Sequence, residues 1–268
     1  MIYDIAIVGA GILGLAHAKA ASDRGLRVVV IDRDHCATGA SIRNFGFVTV
    51  TGQEAGECWR LAVRSRDVWQ EVVAAAKIPV LQRGLTVAAR RPQSEAVIDS
   101  FLKTEMGESC RRLTFDEART FVPMLSDRVT AALHSPHELR VESREAIPQL
   151  TRWLSEARGV TFRWGEQVLD VAPPAIRTSG GLLQAGAVIL CPGDSYAGPF
   201  GGRLTPSNLT RCKLHMLRIK PESAVRLETA LMSDLGLARY LGYATLPEAV
   251  PLKALLDREQ PVVSRDVV

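Results

Sequence analysis

Nowhere in this chain does an apolar run approach the ~20 residues needed to cross a bilayer as a helix, so no membrane span is expected. The opening Met1-Ile2-Tyr3-Asp4 has neither the charged start nor the apolar stretch of a secretory signal, which makes the cytoplasm the expected address. Cysteine is scarce. The five residues Cys36, Cys58, Cys110, Cys191 and Cys212 are odd in number and irregular in spacing, which argues against a disulfide framework and a zinc pattern. Two close pairs, Cys212 with His215 and His134 with His137, each lack a second pair to complete four ligands, so no metal is expected. The net charge of +4 is spread along the sequence rather than gathered into a tail, so the electrostatic footprint of a nucleic-acid binder is missing. Repeats and low-complexity segments are absent as well. What remains is 268 residues, 47% of them hydrophobic, enough for one large or two modest domains with a sizeable core.

The apolar pattern starts with Ile5-Ala6-Ile7-Val8, a run that predicts a strand buried on both faces of a parallel sheet. Alanine and leucine at helical spacing from Ile12 to Arg24 predict a helix stopped by Gly25, and Arg27-Val28-Val29-Val30-Ile31 predicts a second buried strand. The segment Asp34 to Gly52 is polar and glycine-dotted and predicts no regular element. Further helices are expected over about Glu54 to Ala76, from an N-cap at Ser94, from a capped start at Thr114, and over Glu145 to Glu156. Strands are expected at Leu85 to Ala89, Val129 to Leu133, Val160 to Trp164 and Ala187 to Cys191. A small meander is expected at Val168 to Val171 and Ala175 to Arg177, with Gly180-Gly181 as a turn.

Gly9-Ala10-Gly11-Ile12-Leu13-Gly14 lies directly after the first strand and opens the helix, where a dinucleotide-binding fingerprint belongs. The chemistry needs glycine three times. The first makes the tight turn, the second lets backbone N–H groups approach a pyrophosphate, and the third lets the helix pack closely on the strand, while the helix N-terminus offers partial positive charge. Asp32 closes the second strand, placed to accept hydrogen bonds from an adenosine ribose and to repel a 2′-phosphate; Arg33 beside it joins the candidate set. These residues do not separate FAD from NAD. The loop after Asp32 does not resume a simple βαβ alternation, which counts against an NAD-dependent dehydrogenase.

The following segment, Thr38-Gly39-Ala40-Ser41-Ile42-Arg43-Asn44-Phe45-Gly46-Phe47, resembles the second flavin-contact loop of the D-amino-acid oxidase, glycine oxidase and sarcosine oxidase superfamily. Ala187-Val188-Ile189-Leu190-Cys191-Pro192-Gly193-Asp194 looks like that superfamily's later strand, whose terminal glycine lies against the dinucleotide. Leu139 to Ala146 resembles the segment that returns its chain to the flavin domain. Thr210 to Lys220 and Pro251 to Arg258 look like a glycine-oxidase-like branch associated with aminophosphonate breakdown.

The resemblance implies an α/β fold: a Rossmann-like FAD-binding domain of the glutathione-reductase kind, residues 1–78 and 143–212, with an inserted α+β substrate domain, 79–142 and 213–268. It implies FAD as cofactor, held non-covalently because Asn44 stands near where some relatives carry a flavin-linked histidine. Ser41 and Arg43 would supply a hydroxyl and a fixed charge, Asn44 belongs to the same contact loop, and Gly46 and Gly193 would let backbone come near the cofactor. The implied reaction is hydride transfer from the carbon next to a small-molecule amine to the flavin, with oxygen as acceptor; Arg43 and Arg218 are candidates to bind an anionic substrate. The resemblance leaves room for a homo-oligomer. Relatives continue past a segment like Pro251 to Asp257 with another glycine-rich loop, so the chain reads as short at its C-terminus and no catalytic residue is assigned. The rival reading is a nucleotide-binding remnant without catalysis.

Overall fold

The computed structural model describes residues 2–195, 213, 215–220, 222, 225 and 227–259. In chain order these make β1 (Ile2–Val8), α1 (Ile12–Ser22), β2 (Val28–Asp32), β3 (Phe47–Val48), α2 (Glu57–Ala75), β4 (Val80–Ala89), α3 (Pro92–Phe101), β5 (Arg111–Thr114), α4 (Phe115–Phe121) and β6 (Ala131–Val141). Then come α5 (Ser143–Arg158), β7 (Thr161–Trp164), β8 (Val168–Ala172), β9 (Ala175–Thr178), β10 (Gly181–Leu190), β11 (Ala230–Ser233), α6 (Leu241–Ala244) and α7 (Ala249–Glu259). They divide into two compact units, one drawn from Met1–Gly46, Ala74–Pro79 and Glu142–Ile219, the other from Phe47–Val73, Val80–Val141 and Lys220–Val268.

In the first unit the sheet order is β7-β2-β1-β10-β9-β8. The strands β7, β2, β1 and the second half of β10 run parallel, and the strand-helix-strand rule explains why α1 links β1 to β2. The strand β10 serves two partners. Gly181 to Gln184 pair antiparallel with β9, and the continuation to Leu190 runs beside β1, so the expected meander of β8 and β9 feeds directly into the parallel sheet. The helix α1 buries Gly14, Leu15, Ala18 and Ala21, the one-face spacing read from the sequence. Fully buried Ile7, Leu15 and Ile31 each contribute about 2 kcal/mol of burial.

The second unit has a sheet ordered β11-β4-β6-β3, with β5 also on β6. Its core gathers Leu85, Val87, Val97, Ile98, Phe101, Leu133, Tyr243 and Leu252 from β4, α3, β6, α6 and α7. The strand expected at Val129 to Leu133 is longer and later, Ala131–Val141. Pro136 hides it: the register against β4 jumps from Leu85–Ser135 to Arg83–Leu139, and the proline, with no N–H to give, falls in that irregular stretch. Ser94 is not the N-cap of α3. Pro92 opens the helix and Arg91 takes the cap, which leaves Ser94 buried in the first turn with its hydroxyl on Asp234 Oδ2 at 3.2 Å. The Thr114 start is a full capping box with Glu117. Between Asp34 and Gly52, where no regular element is expected, the two residues of β3 pair with Arg140 and Leu139, and 47–73 thereby joins the second unit, ahead of the boundary expected at 78.

Candidate active-site cleft

Four neighbouring strands of the first unit, β7, β2, β1 and β10, end on the same side, and a cleft of about 210 Å³ opens there. The carboxyl ends of parallel strands are where such sheets bind ligands, because helices start there and backbone polar groups turn outward. One wall is the turn after β1, with Gly9 and Gly11. The floor and rim come from Asp32, Arg33 and Asp34 after β2, and from Thr38 to Ser41. The far wall is Glu166, Gln167 and Val168, and Cys191 to Ser195 follow β10.

The turn needs glycine for measurable reasons. Gly9 has φ +106°, and a Cβ on it would meet the Cys191 carbonyl oxygen at 2.2 Å. A Cβ on Gly14 would sit 1.9 Å from the Gly9 oxygen, so α1 could not lie this close to β1. At Gly11 a Cβ would come 3.0 Å from Ser41 Oγ and narrow the gap between turn and loop. The first turn of α1 carries no acidic side chain, so its partial positive charge is not offset by its own residues.

Asp32 is half-buried and faces the cleft. Its Oδ2 accepts the Ala10 N–H at 2.7 Å and its Oδ1 accepts the Asp34 N–H at 3.0 Å, so the carboxylate ties the glycine turn to the strand that follows. Ser41 Oγ accepts the Ile12 N–H at 2.9 Å and caps α1 from a distant part of the chain. Two amides of the turn are therefore satisfied within the protein. Arg33 donates to Ser195 Oγ at 3.0 Å, and Thr38 donates to Asp34 Oδ2 at 2.5 Å. The far wall is zipped to the end of β2: Glu166 N–H donates to the Asp32 carbonyl at 3.0 Å and Gly165 N–H to the Asp34 carbonyl at 3.1 Å. Burial pushes the Cys191 thiol pKa up, so it stands behind the turn as a protonated wall group.

Of the residues singled out in the sequence, Gly9, Gly11, Asp32, Arg33, Ser41 and Gly193 line this one cleft. Ala10 and Gly14 are buried behind the turn, Ile12 takes part through its amide, and Leu13 is exposed. Arg43, Asn44 and Gly46 do not line it; the first two are exposed and Gly46 is buried. Arg218 is an exposed cation 3.9 Å from Glu142. Thr210, Arg211, Cys212 and Leu214 lie outside the described residues, and Pro251 to Arg258 form part of α7. Sequence reasoning missed Glu166 to Val168 as a wall. The signal was the strand at Thr161–Trp164, whose pairing of Trp164 with Asp32 carries the next residues to the cleft. Among the described residues, no cluster of three His, Cys, Asp or Glu is disposed to hold a metal, and no helix is long and apolar enough to cross a membrane.

A model of the DAO family, described as FAD dependent oxidoreductase, matches residues 4–248. The glycine oxidase of Geobacillus kaustophilus is 23% identical over 217 residues, 75% of this chain and 57% of that protein. Its crystal structure superposes with a TM-score of 0.61 at 22% identity, covering 76% of this chain and 58% of that one. A dithionite-reduced L-alpha-glycerophosphate oxidase of Mycoplasma pneumoniae, solved with FAD bound, gives a TM-score of 0.57 at 16% identity over 71% of this chain and 52% of that one. The chain thus spans between half and three fifths of the length of these relatives.

Proposed function

Because this chain belongs to the DAO family of FAD-dependent oxidoreductases, we propose that the cleft at the carboxyl ends of β1, β2, β7 and β10 holds the ADP half of FAD and that the protein oxidises the C–N bond of a small amine or amino acid. The observation that carries the reading is the convergence of Gly9, Gly11, Asp32 and Gly193 on one cleft in one unit. The residues fit the group. Gly9 and Gly11 put bare backbone on the cleft wall at the start of α1, where no side chain stands between a pyrophosphate and the main chain. Asp32, already holding two backbone amides, keeps free lone pairs for ribose hydroxyls. Glu166 to Val168 offer a wall beyond Asp32 against which an adenine ring can lie.

When bound, FAD supplies the acceptor for the electrons that leave the substrate carbon, and the protein binds, orients and tunes it. The glycine turn and the α1 terminus orient the phosphates, and Arg33 stands at the rim beside Ser195. Glycine, sarcosine, D-amino acids or aminophosphonates are the proposed substrate types, with oxygen as electron acceptor, in the cytoplasm. The test is a panel of these amines given to FAD-loaded protein with peroxide release followed. Turnover of at least one supports the reading, and flavin-loaded protein that oxidises none, under oxygen or an artificial acceptor, overturns the oxidase assignment.

A further inference from the structure

Asn44 uses every polar atom of its side chain inside the protein. Its amino group donates to the Ala40 carbonyl at 3.0 Å and to the Ser41 carbonyl at 2.8 Å. Its oxygen accepts the Gly46 N–H at 2.7 Å and the Ser143 hydroxyl at 2.8 Å. A primary amide offers two donors and an oxygen with two lone pairs, so this one has nothing left for a ligand. The four bonds have distinct jobs. Two close the single turn Ala40–Ile42, one holds Gly46 at φ +66°, and the fourth anchors the loop to the first residue of α5.

The loop needs such ties because apolar burial does little to hold it: from Asp34 to Gly46 only Gly46 is buried. Ser41 is tied by its carbonyl to Asn44 while its hydroxyl receives the Ile12 N–H at the start of α1. We infer that Asn44 is a positioning residue for the cleft: it does not touch the nucleotide, but by fastening the loop to α5 it keeps Ser41 against the helix start, so the phosphate end is assembled before the ligand arrives. This rests on the reading that the cleft takes the ADP half of FAD. Affinity then gains because binding does not have to order the loop.

The test is a double-mutant cycle in FAD affinity, using the full chain, with Asn44→Ala, Ser41→Ala and the double variant. Each single change is expected to weaken binding about tenfold, the scale of one or two lost hydrogen bonds. The double variant should bind no more weakly than the weaker single, because Asn44 acts through Ser41. A role in general folding would instead lower the urea midpoint of the apoprotein and leave the two affinity losses multiplicative, roughly a hundredfold together. That product, or an Asn44→Ala variant with wild-type affinity, overturns the inference. Ser143→Ala removes the hydroxyl that reaches both the Asn44 side-chain oxygen and, at 3.2 Å, its backbone carbonyl, while keeping the amide, and it carries the same cycle with Ser41→Ala if Asn44→Ala does not fold; its few-fold loss should vanish in the Ser41→Ala background. Wild-type protein that fails to bind FAD overturns the functional reading itself, whereas wild-type binding with no effect at Asn44 overturns the positioning role alone.

Discussion

Replacing Gly14 by alanine places a methyl carbon 1.9 Å from the Gly9 carbonyl oxygen and 3.3 Å from Ile7 Cγ2. The first distance is roughly 1.4 Å short of the ~3.3 Å at which carbon and carbonyl oxygen first meet without strain. The obstruction is backbone in the turn itself, so it cannot swing aside as a side-chain tip would, and α1 must lift from β1. Overpacking of this kind costs up to about 3 kcal/mol, and alanine's better helix propensity returns about 1 kcal/mol. The net expectation is a destabilisation of about 2 kcal/mol. Urea unfolding of the apoprotein measures it as a lowered midpoint with an unchanged slope. FAD affinity should fall at least about tenfold as well, because the start of α1 moves relative to Asp32 and Ser41. Gly39→Ala is the control for stability: nothing lies within 4 Å of its added methyl, so its change should stay within about 0.5 kcal/mol. Equal midpoints for wild type and Gly14→Ala would refute the argument that close helix-strand approach explains the third glycine.

Asp32→Asn keeps shape but turns an amino group toward one of the two backbone amides the carboxylate now accepts; the apoprotein should lose about 2 kcal/mol in denaturation, and FAD should bind more weakly in the same samples. Burial pushes the Cys110 thiol up from 9.0 to about 11. Since the unfolded thiol ionises first, the unfolded state binds fewer protons between these values, and stability present below pH 9 is lost as pH rises toward 11. Cys110→Ala should therefore show a flatter fall in denaturation midpoint over that range than wild type, and parallel curves would contradict it. Asp234 is fully buried and accepts from Arg91 Nη1 at 2.5 Å and from Ser94. Asp234→Asn leaves Arg91 in place without its buried partner and should cost about 3 kcal/mol, read as a lower melting temperature of the second unit's transition.

The residues that announced themselves in the sequence are those whose job is local. Gly9, Gly11 and Gly14 and the Ala and Leu spacing of α1 act within a few positions of one another, so strand, turn, helix and Asp32 could be read together. The far wall could not be read this way. Glu166 to Val168 have no motif, and only the parallel pairing of β7 with β2 carries them to Asp32. Residue type misled at Ser94. Ser94 has a capping side chain, but Pro92 starts the helix first and burial hands the hydroxyl to Asp234. The strand expected to end at Leu133 runs on through Pro136, because the register shift of β6 against β4 accommodates the proline's missing donor. Asn44 stands in the expected contact loop, yet four intramolecular bonds use up its amide, a fact that depends on Ser143, 99 residues away in sequence.

The most direct test is an equilibrium titration of the purified chain with FAD, followed by flavin fluorescence, with ADP as competitor. Saturable binding that ADP displaces, and that Asp32→Asn weakens, is the predicted outcome. Absence of saturable binding by folded protein, or FAD binding that ADP leaves untouched, would contradict the assignment of this cleft to the ADP half.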